Sequence, residues 1–446
     1  MERLGTPPSH LQHFEPIASH VRHYRLRCQG CSATFEDDGA MLNCSVPHEP
    51  ALLTTEYDAN HVEPDERAPG MRRYRTWLPI VRDLPCSVKT VTYQSDWLSA
   101  LTGVRNLWVA FSGYWPARGA TLETATFKEL EVYPVLVRLA DLRSSVLVVA
   151  SAGNTAAAFA NICSRLHQPC LILIPSSGLS RMQFPEPLAP CVKIVSLVGF
   201  TDYQDAIALA ERVARLDGFV LHGGARNIAV RDGLGTVMLN ATETMGRLPD
   251  YYFQAIGSGT GAVAAHEAAK RLIADGRFGQ TLPRLMLSQN VPFAPMYRAW
   301  KARRRALMTL HPDDGKKQIR QIVAQVLSNQ RPAYSIAGGV FDVLTESRGD
   351  MLIADNGAVL RAMALFDASE GIDLDPAAGV ALASLLAVAA SGGIDREAVV
   401  LLHLTGGGWY QHAADHRLMP AKPALEIDQH ETMVSDTPER IARLVR

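Results

Sequence analysis

Short apolar, β-branched runs recur through the middle of the chain, at residues 146–150, 170–175, 192–198 and 219–222. Between them, residues 156–166 and 203–216 read as helices. Buried runs alternating with helices are the pattern of parallel βαβ units, because a parallel strand is covered on both faces and must be joined by a crossover. A second set of strand-like runs lies at 252–256, 285–289 and 399–404, near glycine turns or ahead of helical stretches. The expected fold is therefore α/β with two doubly wound layers, and the cleft between them is the expected ligand site. The expected division is a small amino-terminal segment, 1–57, a large domain from 58–130 and 246–446, and a small domain, 131–245. The longest apolar stretch, 377–390, is interrupted by Gly379 and Ser384. It falls short of the ~20 residues that span a bilayer and reads as a buried, Ala-rich helix.

Composition narrows the function classes. The 446 residues hold 44 Lys+Arg against 45 Asp+Glu, a formal net charge of −1. A nucleic-acid binder needs a basic excess to neutralise phosphates, so nucleic acid is not an expected partner. The chain opens with Glu2, Arg3, Pro7 and Pro8 and no apolar segment fit to be a secretory signal, which points to the cytoplasm. Seven cysteines, an odd number spread over a long chain, suit reduced thiols better than a disulfide framework. Lysines number only eight, so chemistry that needs an amine has few places to sit.

Four features carry candidate chemistry. Cys28, Cys31, Cys44 and His48 follow a C-x2-C-x12-C-x3-H spacing similar to a zinc knuckle. Thiolates and imidazole so spaced can surround a tetrahedral ion, and a segment with little core gains folding energy from one. The same residues also fit a small strand unit that folds without metal, and both readings stand. Gly257, Ser258, Gly259, Thr260 and Gly261 follow a strand-like run and precede the helical stretch 262–274. Such a loop lets backbone amides approach a phosphate while the helix amino terminus favours negative charge, although it matches neither G-x-G-x-x-G nor a nucleotide P-loop. Ser151, Gly153, Asn154 and Thr155 occupy the same strand-to-helix position in the other layer and offer donors to a carboxylate or phenolate, with a plain helix cap as the alternative reading. Lys128, beside Phe127, lies in a segment apolar enough to be partly buried. An amine held out of water is a nucleophile able to form a Schiff base.

The lysine, the Ser-x-Gly-Asn-Thr turn, the glycine-rich loop and Thr405 in Thr405-Gly406-Gly407-Gly408 come in the order found in fold-type II pyridoxal-phosphate enzymes. The resemblance extends to longer blocks: Phe111-Ser112-Gly113-Tyr114-Trp115-Pro116, Phe127-Lys128-Glu129-Leu130-Glu131, Gly223-Gly224-Ala225-Arg226-Asn227, Tyr252-Phe253-Gln254-Ala255 and Gln289-Asn290-Val291-Pro292-Phe293. Together these resemble the cysteate synthase family, a relative of threonine synthase. The similarity runs from about Cys28 to Gly408, while residues 1–22 and the tail after Tyr410 match nothing.

The resemblance implies a pyridoxal 5'-phosphate enzyme that replaces the phosphate of O-phospho-L-serine with sulfite, giving L-cysteate and phosphate. It implies that Lys128 carries the cofactor and moves the α-proton, that Asn154 bonds the cofactor's phenolic oxygen, and that Thr405 faces its ring nitrogen. Gly257, Ser258, Gly259, Thr260 and Gly261 would hold the cofactor phosphate, and Ser151, Gly153 and Thr155 the substrate carboxylate. Arg226, with Arg118 and Arg231 behind it, is the candidate for the dianionic phosphate and sulfite, because a guanidinium binds such oxyanions in a forked geometry. Threonine synthase-like replacement on O-phosphohomoserine, β-replacement with another nucleophile, and a non-catalytic cofactor-binding protein are the rival readings. Fold-type II enzymes are usually oligomeric, and a homo-oligomer is expected.

Overall fold

The computed structural model describes residues 22–82, 86, 88–139 and 145–445. The first 21 residues of the amino-terminal segment lie outside the described residues.

Two sheets carry the chain. The smaller has five strands in the order Phe219–Leu221, Val146–Ala150, Cys170–Pro175, Val192–Leu197 and Leu425–Ile427, paired in parallel throughout. The larger has six, in the order Asp350–Ala354, Arg284–Asn290, Tyr251–Ala255, Val399–Leu404, Asn106–Phe111 and Val91–Gln94; only the last pairing is antiparallel. Every residue of Cys170–Pro175 and of Val399–Leu404 is buried, as strands covered by helices on both faces must be.

The alternation of side chains along a strand decides which layer each one feeds. In Val146–Ala150, Leu147 and Val149 pack into the core shared with helix Asn154–Arg165, whereas Val148 packs with Leu209, Ala210 and Val213 of helix Tyr203–Val213. That second helix starts at a capping box, in which the Asp202 side chain accepts from the Asp205 amide and Asp205 returns the bond to the Asp202 amide. The Ala-rich stretch is helix Pro376–Ala390, started by Asp375 and buried along its first two turns and beyond.

The expected strands and helices appear within a few residues of their predicted ends. Three strands of the larger sheet, Val91–Gln94, Asn106–Phe111 and Asp350–Ala354, lie outside the expected runs. One domain assignment is corrected. The expected large domain took in all of 246–446, yet Leu425–Ile427 pairs with Val192–Leu197 in the smaller sheet. Apolar burial is the reason, because Ile427, Ile441 and Ala442 complete the core that Leu209 and Val213 begin.

The amino-terminal segment folds as a three-stranded antiparallel sheet, Thr34–Phe35, Tyr24–Cys28 and Leu53–Tyr57. It is clamped to the body by two buried carboxylates. Asp37 takes a forked pair from Arg138 at 2.7 and 2.8 Å, and Asp232 accepts from Thr55 at 2.6 Å and Tyr57 at 2.7 Å. Removing one member of a buried pair like Arg138–Asp37 typically costs about 3–5 kcal/mol, since the survivor is left charged and unpaired. Among the described residues no helix is long and apolar enough to cross a membrane, and no two cysteines are joined in a disulfide.

Candidate active site

The carboxyl ends of the parallel strands open into one cavity of about 470 Å³ between the two sheets. Ala150, Leu221, Ala255 and Thr405 lie on its wall at or just after those strand ends. Open parallel sheets bind ligands there because helix amino termini and loops converge at that edge.

Lys128 immediately precedes helix Glu129–Arg138. Its backbone is held by the loop after Val399–Leu404: the Phe127 amide donates to the Thr405 carbonyl at 3.0 Å and the Gly407 amide to that of Ala125 at 3.0 Å. These bonds bring lysine and threonine to one wall of the cavity. The Lys128 side chain is 17% exposed, and Nζ donates to Glu131 Oε2 at 2.5 Å.

Glu131 is fully buried, and its second oxygen, Oε1, has no hydrogen-bond partner among the described residues. Facing it at 3.8 Å is Nε2 of His222, which is buried and likewise unpartnered. Burial pushes the His222 imidazole down to about 4, so the ring is neutral near pH 7. The Gly224 amide donates to its Nδ1 at 3.3 Å, which assigns the ring proton to Nε2 and aims it at Glu131. Glu129, the neighbour on the other side, is also buried. It accepts from the Thr124 amide, and burial pushes its carboxyl up to about 7.

The glycine-rich loop, which also lines the cavity, runs into helix Thr260–Asp275. Gly259 takes a left-handed backbone with φ +82°, and a Cβ at Gly261 would strike the Gln254 amide and the Phe127 ring. Ser258 and Thr260 hydroxyls bond each other at 2.8 Å. The first turn of any helix leaves amides without acceptors, so this loop presents donors and a positive helix end to the cavity. Across from it, Ser151 Oγ accepts from the amides of Gly153 at 3.0 Å and Ala156 at 2.9 Å, holding the turn that starts helix Asn154–Arg165. The Asn154 Oδ1 is buried without a partner where the residue lines the cavity.

Of the sequence candidates, Lys128, Ser151, Gly153, Asn154, Thr155, Arg226, Thr405 and the loop from Gly257 to Gly261 all line this cavity. Arg118 and Arg231 do not. Arg118 is drawn away by Glu370 at 3.3 Å and stacks over the Tyr93 and Trp115 rings. Arg231 is wholly buried, held by Glu267 at 3.0 Å and by the carbonyls of Ala225 and Leu53, so it braces the fold. Cys28, Cys31, Cys44 and His48 come together away from the cavity.

Comparison with known proteins fits this geometry. Residues 94–406 match the family described as pyridoxal-phosphate dependent enzyme. The cysteate synthase of Methanosphaerula palustris is 45% identical over 91% of this chain and 94% of its own length. That of Methanosarcina barkeri is 42% identical over 90% of this chain and 95% of its own. The chain belongs to the cysteate synthase family. At the level of fold, maize serine racemase superposes with a TM-score of 0.55 at 18% identity, covering 74% of this chain and 93% of that one. Threonine deaminase isoform 2 from Solanum lycopersicum gives 0.51 at 15% identity, covering 73% and 86%. The fold is thus that of the fold-type II pyridoxal-phosphate enzymes.

The cavity of this cysteate synthase family member fits pyridoxal phosphate on its own features. It is lined by the Lys128 amine, by a glycine-rich cradle in which a Cβ at Gly261 would crowd Gln254 and Phe127, and by Asn154, whose carboxamide oxygen is buried without a partner among the described residues. A buried polar chain supports the floor: Thr90 to Ser112 at 2.9 Å, Ser112 to His403 at 3.0 Å, His403 to Tyr252 at 2.8 Å and Tyr252 to Gln254 at 3.0 Å. This chain gives Ser112, Tyr252 and Gln254, each inside a block that resembles the family, a common physical task.

Sequence reasoning missed Glu131, His222, Asn329 and Arg331. Glu131 was findable, since a residue three positions after the lysine on a helix shares its face. His222 ends a strand at the edge where ligands bind, a weaker signal. Asn329 and Arg331 sit in a stretch without helix or strand, and nothing in their spacing marks them.

Proposed function

We propose that the protein converts O-phospho-L-serine and sulfite to L-cysteate and phosphate. The reading rests on its cysteate synthase relatives and on one observation: Lys128, held by a buried carboxylate, stands in a cavity whose lining also includes two arginines, Arg226 and Arg331. Pyridoxal phosphate, when bound, supplies the electron sink that makes the α-proton of an amino acid removable.

The chain's own residues supply the rest. Lys128 Nζ removes the α-proton and later returns it to the same carbon, so the lysine carries no net proton through the cycle. Glu131 balances the ammonium charge of Lys128 while the amine is protonated. Thr405 would offer a neutral hydroxyl to the cofactor's ring nitrogen, and a hydroxyl there in place of a carboxylate would suit elimination at the β-carbon better than deeper carbanion chemistry. Asn154 would bind the cofactor's phenolic oxygen, and the turn from Ser151 to Thr155 would bind the substrate carboxylate.

Charge and water control then decide the exchange. Phosphate leaves the β-carbon as C–O breaks, and sulfite sulfur forms the new C–S bond. With bisulfite as the incoming species its proton balances the departing hydrogen phosphate. Arg226 lines the cavity while tied to Glu211 at 3.0 Å. Arg331, an exposed residue that makes no ion pair among the described residues, also lines it and can turn its guanidinium to an oxyanion. Phe127, Val326, Leu327 and Ala377 give the wall an apolar face that limits water near the reacting carbon.

The test is incubation of cofactor-loaded protein with O-phospho-L-serine, with and without sulfite, following phosphate and the amino-acid product. Sulfite-dependent cysteate is expected. Threonine from O-phosphohomoserine, or phosphate release with pyruvate and no cysteate in the presence of sulfite, overturns the reading.

A further inference from the structure

The amino-terminal sheet carries a cluster that the reaction does not use. We propose that Cys28, Cys31, Cys44 and His48 bind one Zn²⁺ that fastens this sheet over two loops of the active-site wall. The inference does not depend on the substrates proposed above.

The geometry is that of a metal cage. One ligand atom from each residue, three sulfurs and an imidazole nitrogen, lies within 4.8 Å of all the others. Cys31 Sγ and Cys44 Sγ are 3.7 Å apart, and Cys28 Sγ is 3.2 Å from His48 Nε2. A tetrahedron with Zn–S near 2.3 Å and Zn–N near 2.0 Å has edges of about 3.8 Å between sulfurs and about 3.5 Å between sulfur and nitrogen. A disulfide would need about 2.05 Å between sulfurs.

The surroundings prepare the ligands. The amides of Gly30 and Val46, each two residues after a cysteine, point at Cys28 Sγ and Cys44 Sγ at 3.3 and 3.4 Å. Such bonds stabilise thiolates. His48 Nδ1 meets the Glu49 carbonyl, which keeps the ring proton on Nδ1 and leaves the Nε2 lone pair for a metal. Gly30 is required here because a Cβ would press within 2.9 Å of the His48 ring. Cys28 is buried while Cys31 and His48 are exposed, so an ion can enter from solvent. Three thiolates and one imidazole select Zn²⁺ over hard cations, and four protein ligands close the sphere as in structural sites.

Residues 36–50 form no helix or strand, and within this loop Cys44 and His48 are brought to Cys28 and Cys31 by the cluster. The loop nonetheless reaches the cavity wall. Leu42 packs on Gly223 and the Met41 carbonyl accepts from Arg138 at 2.8 Å. On the other side Gln29 packs on Gly338 and the Leu52 amide bonds the Ala337 carbonyl at 2.9 Å. Gly223 and Ile336 line the cavity, so a metal that orders this loop also orders both loops behind it.

The full chain, purified without chelator, is measured for metals and then reloaded with Co²⁺. About one zinc per chain is expected, and the cobalt form is expected to show intense visible bands of tetrahedral geometry with thiolate-to-metal absorption in the near ultraviolet. Cys31→Ser and Cys44→Ser should each lose those bands. Removing the metal should raise amide exchange in residues 36–50 and 333–338 while leaving helix Thr260–Asp275 protected. Substoichiometric zinc with freely titrating thiols, a Cys31–Cys44 disulfide in the native protein, or cobalt spectra of octahedral type would overturn the site. Unchanged exchange at 333–338 would overturn the fastening role.

Discussion

Lys128 Nζ lies 2.5 Å from Glu131 Oε2, one helical turn further along, and Glu131 has no other hydrogen-bond partner among the described residues. The carboxylate is therefore neutralised only while the amine is charged. When the lysine gives up that charge, the nearest donor left is the neutral His222 ring at 3.8 Å. The contact fixes where the amine sits, which makes Glu131 a positioning residue for Lys128. Glu131→Gln keeps shape and burial but removes the charge. It should lower kcat by about 10²-fold with little change in KM, while the absorbance of the lysine-bound cofactor persists. An unchanged kcat would remove the role.

The cradle makes a different demand. A methyl group at Gly261 would push on Gln254 and on Phe127, the residue before the lysine. Gly261→Ala should weaken pyridoxal phosphate binding by about tenfold or more, as small overpacking typically costs 1–3 kcal/mol. Titration of apoprotein with cofactor, followed by absorbance, measures it, and wild-type affinity in the variant would refute the cradle.

Substrate charge should be read by the uncommitted guanidinium. Arg331→Ala is expected to raise KM for O-phospho-L-serine or sulfite by about tenfold with kcat preserved, the pattern of an interaction made equally in ground and transition states. Arg118→Ala serves as the control, because Arg118 is engaged by Glu370 away from the cavity. Steady-state kinetics with each substrate varied in turn distinguishes them.

Glu129 gives stability a pH dependence. Burial raises its folded carboxyl from 4.5 to about 7. Its contribution is then fully present below pH 4.5 and lost as pH rises to about 7, since the unfolded chain ionises first and the folded chain must pay to follow. Glu129→Gln cannot ionise, so its Tm relative to wild type should be higher at pH 8 than at pH 5. Equal differences at the two pH values would mean that Glu129 is ionised in the fold already at pH 5.

Much of the site was readable because its chemistry is local. Lys128, the turn from Ser151 and the loop from Gly257 each sit at a strand-to-helix junction, and such junctions show in the pattern of one chain. The Arg118 and Arg231 expectations failed because an arginine's partner is set by tertiary contact: Glu370 and Glu267 lie far along the sequence. Arg331 stayed hidden for the complementary reason, since its loop carries no periodic signal. The strands Val91–Gln94 and Asn106–Phe111 escaped because the first is a half-buried edge strand and the second pairs with a strand nearly three hundred positions on. The cysteine and histidine spacing was legible, whereas the folding of residues 36–50 against Gly223 was not.

The strand Leu425–Ile427 closes the smaller sheet with residues far along the chain from its other four strands. During synthesis the other four strands of that sheet leave the ribosome more than two hundred residues earlier, and must wait for their last edge until Leu425–Ile427 has emerged. Until then Val192–Leu197 presents an open edge and helix Tyr203–Val213 an uncovered apolar face, the kind of surface that chaperones hold and that pairs wrongly with neighbours. A truncation of only the last 25 residues would therefore strike the half of the cleft that carries Asn154, far from the cut in sequence, and would show first as a loss of soluble protein.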